Sequence, residues 1–283
     1  MSFFSDQDKN ITDTAKCHSY ENGNPDTTPL PAIDSCWSLS CKDGNDNSRE
    51  HKSPNVIDAL KMFGIFLIVS IAMGLVSHAL IKASPTTPLG LLYALFFSHI
   101  LGIIVPVIIY IYSKGYSFKE TLNLRPVAAP ALLVISFISI AFFVALHLLQ
   151  GLMEPLFRPY AEDMTVYQEF FNGLASASRS PVDIFLLVLG VGIIPAVAEE
   201  ILFRGIILTG LRNSSSAAKA IVLSGLLFGI IHIFPPQVIV VSILGMFFGI
   251  LTVRTNSIVT SIWCHFLNNT MIILMMMGAP LIN

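Results

Sequence analysis

From residue 56 onward, the chain alternates long apolar runs with short polar breaks. A helix needs about 20 residues to cross the hydrocarbon layer of a bilayer, which is roughly 30 Å thick. The fifth and sixth runs are short, and Gly192 and Pro195 are positioned to kink the fourth. The pattern predicts an all-α, polytopic membrane bundle of about seven transmembrane helices, at about residues 57–81, 89–112, 128–153, 183–211, 217–234, 236–253 and 257–279.

Residues 1–55 differ from the rest of the chain because they show no lasting helical or strand period. They carry nine acidic and five basic residues, with many Asn, Ser, Thr, Pro and Gly. We predict a flexible, polar tail there and a membrane-embedded helical domain over residues 56–283. The whole chain is 54% hydrophobic and only 12% charged, whereas soluble domains carry about 25% charged residues. This composition excludes an ordinary soluble enzyme and a nucleic-acid-binding protein.

The lysines and arginines predict how the domain is oriented in the membrane. If the tail is cytoplasmic, thirteen basic residues lie on the cytoplasmic side, and the other side keeps three, Lys82, Arg158 and Arg179. An excess of basic residues is typical of cytoplasmic loops. We therefore predict a cytoplasmic N-terminus and a C-terminus on the outer side.

Few ionisable side chains lie inside the predicted spans, where they are expensive and often functional. The fourth span contains Glu199, Glu200 and Arg204. Glu200 and Arg204 are four residues apart and can pair on one helix face. Glu199 points about 100° away from Glu200, so it can face a cavity without that partner. Three isolated histidines are expected to make interhelical hydrogen bonds or to lie near an interface, namely His78, His99 and His147.

Two later helices bring polar side chains to a similar depth. Phe228 precedes His232 by four residues, and His265 precedes Asn269 by four. With a rise of 1.5 Å per residue, Glu199 and His232 lie about 20 Å from the nearest basic residue at a cytoplasmic break, and His265 about 17 Å. The common depth predicts one shared site.

The residue types at this site suit the attack of water on an amide. A carboxylate and an imidazole can remove a proton from water, and a second imidazole with an amide can donate to an oxyanion. Zinc held by Glu199, His232 and His265 is the alternative, although the HExxH helix of many zinc proteases is absent. A thiol nucleophile is disfavoured, because Cys264 diverges from His265 by about 100°.

As a set, these motifs resemble those of the CPBP intramembrane proteases, the family of the type II CAAX prenyl endopeptidases and of bacterial Abi relatives linked to bacteriocin self-immunity. The three motifs are Glu199-Glu200-x-x-x-Arg204, Phe228-x-x-x-His232 and His265-x-x-x-Asn269. Their order, spacing and placement on successive apolar helices agree with that family. The resemblance covers roughly residues 115–280, with the motifs themselves within about 183–280.

The resemblance implies a glutamate-dependent membrane endopeptidase. It makes Glu199 the general base, with His232 helping to hold the water, and His265 and Asn269 the residues that stabilise the oxyanion. Glu200, Arg204 and Phe228 would support these four. It implies no cofactor, and zinc remains the second possibility.

The expected substrate is a membrane-anchored protein or peptide in the lipid bilayer, here of the plasma membrane of a bacterium. Two non-proteolytic alternatives also fit a polar site inside a membrane bundle. One is a scaffold or bacteriocin immunity factor without catalysis. The other is a proton-linked transporter, which the lack of an internal repeat disfavours.

Overall fold

The fold is seen in a computed structural model that describes residues 52–83, 95–153, 155–157, 173–174, 180–232 and 235–278. The chain divides into two units, Met1–Arg49 and Glu50–Asn283, and the description concerns the second. The predicted tail therefore lies almost wholly outside the described residues, and its boundary at residue 55 stays a prediction. The side chain of His78 and most of the loop that follows residue 153 lie outside them as well.

Helices make up almost all of the described chain, and no strand occurs in the ranges given above. Six of the helices are long and apolar enough to cross a membrane, and a seventh apolar helix is shorter. The predicted all-α membrane bundle is confirmed. The helices are α1 Val56–Ala83, α2 Leu95–Lys114, the four-residue α3 Phe118–Thr121, α4 Ala129–Met153, α5 Pro181–Arg212, α6 Ala217–Ile230, α7 Pro235–Thr255 and α8 Ile258–Gly278.

Helix α6 is shorter than the predicted fifth span. It has 14 residues and ends at Ile230, whereas the apolar run suggested a helix to residue 234. Pro235 and Pro236 have no N–H with which to continue the helical hydrogen bonds. The chain therefore leaves α6 early and starts α7 at Pro235.

Helices α6 and α7 approach each other closely through glycines. A Cβ atom added at Gly229 would come within 2.5 Å of the Val238 carbonyl oxygen, and one at Gly225 within 2.8 Å of the Met246 backbone nitrogen. Small residues allow such backbone contact between membrane helices. Phe228 lies on α6 within this closely packed pair of helices, and its side chain is only 1% exposed.

Two membrane helices contain π-helical turns near the polar side chains. The first is Ile100–Ile104 within α2. Helix α5 has two, Val188–Ile193 and Ile201–Leu208, and between them runs an α-helical stretch, Ile194–Glu200. Proline has no N–H and crowds the carbonyl four residues before it, so a wider turn before Pro195 relieves that contact. Instead of a simple kink, α5 therefore has a widened turn at the predicted position.

The start of α1 is fastened to α2 by a buried carboxylate. Asp58, 2% exposed, accepts hydrogen bonds from the hydroxyls of Tyr110 at 2.6 Å and Tyr116 at 2.7 Å, and Lys114 lies 3.6 Å away. Burial and the hydrogen bond to Asp58 raise the pKa of the Tyr116 phenol to about 12. The phenol therefore stays protonated and donates over the whole physiological range.

Candidate active site

A buried ion pair lies at the centre of the bundle. The Arg204 guanidinium donates to Glu200 Oε1 at 2.7 Å, as the spacing of four residues predicted, and neither side chain is exposed. Arg204 also donates to the Gly245 carbonyl of α7 at 2.7 Å. Its guanidinium lies 4.6 Å from the ring centre of Phe228 and 5.4 Å from that of Phe248. These contacts hold α5 against α6 and α7.

His265 reaches the same carboxylate from α8. Its Nδ1 lies 3.0 Å from Glu200 Oε1, and because a carboxylate only accepts, Nδ1 is the donor. The ring stands edge-on to Phe228 and is stacked on Phe248, with centroid distances of 5.7 and 5.1 Å. The orientation of the imidazole is thus set on three sides, and Nε2 faces Glu199.

Glu199 has other partners than Glu200. Its Oε1 lies 3.3 Å from His99 Nε2 and its Oε2 lies 3.9 Å from His265 Nε2. The side chain keeps 14% of its surface exposed, whereas that of Glu200 has none. The two adjacent carboxylates thus have different surroundings. Glu200 is fully buried in an ion pair, whereas Glu199 lies between two imidazoles and is partly exposed at the protein surface.

His99 is the member of this cluster that sequence reasoning missed. The interhelical hydrogen bond expected of His99 is present, with Glu199 as its partner, but its place beside the motif residues was not predicted. The depth argument would have found it, since His99 lies fifteen residues before Lys114, about 22 Å at 1.5 Å per residue. That depth is close to the depth of Glu199.

His232 lies in a turn, where the sequence placed it on a helix. Helix α6 has already ended, and the His232 N–H bonds the Gly229 carbonyl in a tighter turn. The ring stays 5.4 Å from Phe228, and Nδ1 lies 3.0 Å from the Phe228 carbonyl, to which it donates. Because Nδ1 is committed to the backbone, Nε2 is the atom left for a water or a substrate.

Asn269 joins α8 to the irregular part of α5. Its Nδ2 lies 3.2 Å from the Val191 carbonyl and 3.5 Å from that of Gly192. Val191 stands four residues before Pro195, which has no N–H to offer it. The asparagine amide takes the place of that missing donor, so the proline on α5 and the asparagine on α8 are complementary.

A metal ion requires several donor atoms that converge on one point. Within the described parts of the chain, no three side chains of His, Cys, Asp or Glu gather closely enough to hold a metal ion. One nitrogen of His265 is taken by Glu200 and one nitrogen of His232 by a carbonyl. The structure thus places the predicted residues near one another without a ready three-ligand site.

Comparison with known proteins agrees with the motifs. Residues 181–271, about a third of the chain, match the family described as type II CAAX prenyl endopeptidase Rce1-like. The chain is also 30% identical over 90 residues to the "Putative membrane peptidase YdiL" of Bacillus subtilis (strain 168). That stretch covers 32% of this chain and 37% of the relative, so the chain matches little more than a third of the relative's length. No solved structure matches.

The matched residues contain all three motifs, from the start of α5 to the middle of α8. They begin later than residue 115, from which the motifs suggested a resemblance. The six long apolar helices make the chain an integral membrane protein. Over residues 181–271, this membrane protein is therefore similar to the type II CAAX prenyl endopeptidases.

Proposed function

We propose that this chain is an intramembrane endopeptidase that hydrolyses a peptide bond in a membrane-associated protein or peptide, with Glu199 as the general base. One observation carries the proposal. Of the two adjacent glutamates, Glu200 is consumed by an ion pair, while Glu199 stays partly exposed between two imidazoles. A base must reach water, and Glu199 is the carboxylate that can.

The reaction begins with a water molecule held at Glu199. Glu199 Oε2 takes a proton from the water while the water oxygen attacks the carbonyl carbon of the substrate, and the protonated Glu199 then gives that proton to the amide nitrogen as the C–N bond breaks. His232 helps to hold the water through Nε2, the nitrogen that its backbone bond leaves available. No metal is needed for this step, because the carboxylate supplies the base.

The tetrahedral intermediate carries a negative oxygen that needs donors. We assign this task to His265 Nε2 and to the amide of Asn269. The first is fixed by the Nδ1 bond to Glu200, and it donates from Nε2 when the ring carries a hydrogen on both nitrogens. Asn269 Nδ2 carries two hydrogens, and its contact with the Gly192 carbonyl, at 3.5 Å, is long for a hydrogen bond, so one of the two hydrogens can donate to the oxyanion instead. Glu200, Arg204 and Phe228 keep these groups in place.

The substrate class follows from the family and the membrane. The relative in Bacillus subtilis carries the name "Putative membrane peptidase YdiL", and the matching family is described as a CAAX prenyl endopeptidase. For this chain we propose a membrane-anchored protein or peptide as substrate, and the plasma membrane of a bacterium as its location. The excess of basic residues on one side supports a cytoplasmic N-terminus.

Substitution of Glu199 tests the proposal. The peptide termini in membranes of wild-type cells are compared by proteomics with those in cells carrying Glu199→Gln, and the substrate so identified is then used with purified protein in liposomes. We expect Glu199→Gln and His232→Ala to lower kcat by about 10²–10⁴-fold, the usual contribution of general-base catalysis. Glu120→Gln is the matched control, because Glu120 is an exposed carboxylate on α3.

Cleavage that persists in Glu199→Gln would rule out the assignment. A scaffold or immunity factor would tolerate this isosteric change in a protection or partner-binding assay. If the chain acts as a protease, Glu199→Gln should abolish both the cleavage and the protection that depends on it.

Metal analysis separates the metal-free mechanism from zinc held by Glu199, His232 and His265. We expect purified, active protein to contain well under one equivalent of zinc and to keep its activity after treatment with a chelator. The measurement is elemental analysis of the same sample that is assayed. One equivalent of zinc, together with activity that a chelator removes and zinc restores, would establish the metalloprotease instead.

A further inference from the structure

We propose that His99 of α2 is a positioning residue that acts through Glu199, holding one carboxylate oxygen so that the other faces the water. The proposal rests on the function proposed above. It concerns a helix outside the three motifs and outside the matched residues 181–271. The contact joins two side chains a hundred residues apart, and their exposures are 16% for His99 and 14% for Glu199.

The backbone fixes which nitrogen of His99 meets the carboxylate. Nδ1 lies 2.8 Å from the Leu95 carbonyl oxygen, one helical turn earlier. A carbonyl only accepts, so Nδ1 carries a hydrogen and donates it. Nε2 is therefore the atom presented to Glu199 Oε1, at 3.3 Å. The imidazole is held at one end by its own helix and faces the catalytic helix at the other.

Charge gives the reason why Glu199 needs this partner. Arg204 donates its hydrogen bonds to Glu200 and to the Gly245 carbonyl, and not to Glu199. Among the ion pairs of the described residues, those of Glu199 are with histidines alone. A largely buried carboxylate is costly without a charged or donating partner. With a hydrogen on both ring nitrogens, His99 supplies the cation and the Nε2–H···Oε1 bond together.

The second histidine cannot replace His99 in this role. His265 Nδ1 is bound to Glu200, and its Nε2 lies 3.9 Å from Glu199 Oε2. That distance is too long for a direct hydrogen bond, whereas a water molecule can contact both atoms. His99 therefore fixes Oε1, and the opposite oxygen is left for the water that is activated.

The main chain around His99 is adapted to this contact. The π-helical turn Ile100–Ile104 starts at the next residue, and α2 contacts α5 there. Such turns often occur at functional sites. A regular helix would place the residues after His99 in a different rotation relative to α5.

Two substitutions separate the effects of the two hydrogen bonds of His99, one to the Leu95 carbonyl and one to Glu199. In His99→Asn the short amide keeps a donor for the Leu95 carbonyl but does not extend to Glu199. In His99→Gln the longer amide reaches the position of Nε2 and keeps a neutral donor for Glu199. His147→Gln is the control, because His147 is an exposed histidine stacked on Phe143 of α4. All variants are made in the full chain, and thermal unfolding confirms that they are folded.

We expect His99→Asn to lower kcat about 10–100-fold, as loss of a supporting hydrogen bond typically does, with KM unchanged within about twofold. His99→Gln is expected to recover part of that loss, and His147→Gln to behave as wild type. The substrate is the one found in the Glu199→Gln comparison. Unchanged kcat in His99→Asn overturns the proposal, and so does an equal loss in the Asn and Gln variants.

A readout without substrate keeps the two proposals separable. Isotope-edited infrared difference spectra against Glu199→Gln report the carboxylate stretch of Glu199 alone. This band is expected to shift in His99→Asn and to stay in place in His147→Gln. An unmoved band in His99→Asn overturns the inference about His99. Cleavage retained in Glu199→Gln overturns the proposed function, and the band still decides whether His99 holds the carboxylate.

Discussion

Glu200 is held by two helices at once. Arg204 of its own helix and His265 of α8 both donate to the same oxygen, Oε1. A charge pair in a low-dielectric interior is balanced only while both members are present, since a lone buried charge has no compensation. The pair thus matters less as a source of net stability than as a fixed point from which the His265 ring is oriented.

Removing one member of the pair should therefore cost more than removing both. We expect Arg204→Met to lower the free energy of unfolding by about 3–5 kcal/mol, as breaking a buried pair does. Glu200→Gln combined with Arg204→Met should recover much of that loss, because glutamine keeps an acceptor for His265 without a charge. Unfolding in mixed detergent micelles measures both. A double variant less stable than Arg204→Met would contradict this account.

At the scale of residues, the sequence predicts groups on one helix better than groups across helices. The Glu200–Arg204 pair follows from spacing alone, because residues four apart in a helix are neighbours. The His99–Glu199 contact spans a hundred residues, and spacing says nothing about such pairs. Depth in the membrane is the one signal in the sequence that points to His99. The contact of Asn269 with Val191 was likewise hidden, since it depends on which helices are adjacent.

At the scale of elements, the α6–α7 hairpin places Phe228 and the Gly245 carbonyl beside Arg204. The two helices can come this close because Gly225 and Gly229 have no side chain. Membrane helices gain little from the hydrophobic effect against lipid, so close van der Waals contact of this kind is what joins them. The position of Phe228 beside Arg204 therefore depends on Gly225 and Gly229, which allow the two helices to approach.

A methyl group at Gly229 should separate the two helices. Its Cβ would meet the Val238 carbonyl within 2.5 Å, and overpacking typically costs about 1–3 kcal/mol. We expect Gly229→Ala to lower the free energy of unfolding by that amount and to reduce kcat through the displaced Phe228. Gly64→Ala is the control, since nothing lies within 4 Å of its added Cβ. Equal free energies of unfolding for Gly229→Ala and Gly64→Ala would show that α6 and α7 are farther apart at Gly229 than the structure indicates.

Element boundaries were predicted less well than element identity. Apolar runs identify a membrane helix by length, and this succeeded for the six long spans. The run through residue 234 did not reveal that α6 ends at Ile230, because hydropathy does not register where hydrogen bonding stops. The π-helical turns were also beyond prediction, except near Pro195, where the missing N–H is visible in the sequence.

At the scale of the whole molecule, the membrane domain exposes apolar side chains over most of its helices, as expected of a surface that faces lipid. The buried ion pairs of Glu199 and Glu200 lie instead where α5 contacts α2 and α8. Orientation is set by the basic residues that flank the spans. It decides on which side of the membrane the N-terminus lies and from which side the proposed protease would reach a substrate.

The natural cysteines make the orientation measurable. If the N-terminus is cytoplasmic, Cys17, Cys36 and Cys41 should resist a membrane-impermeant maleimide in intact cells and react after permeabilisation. Cys264 is fully buried and should stay silent in both conditions. Ser176→Cys, placed in a variant that lacks the three N-terminal cysteines, should react in intact cells. The reverse pattern would invert the topology.

The length of α6 has a consequence for the lipid around the protein. Fourteen residues rise about 21 Å, whereas the hydrocarbon layer is roughly 30 Å thick. The hydrophobic mismatch is relieved by a locally thinned leaflet or by water that enters above the end of α6. His232 lies at that end, so the same shortfall would give water, the reactant of the proposed hydrolysis, access to a histidine that acyl chains would otherwise surround.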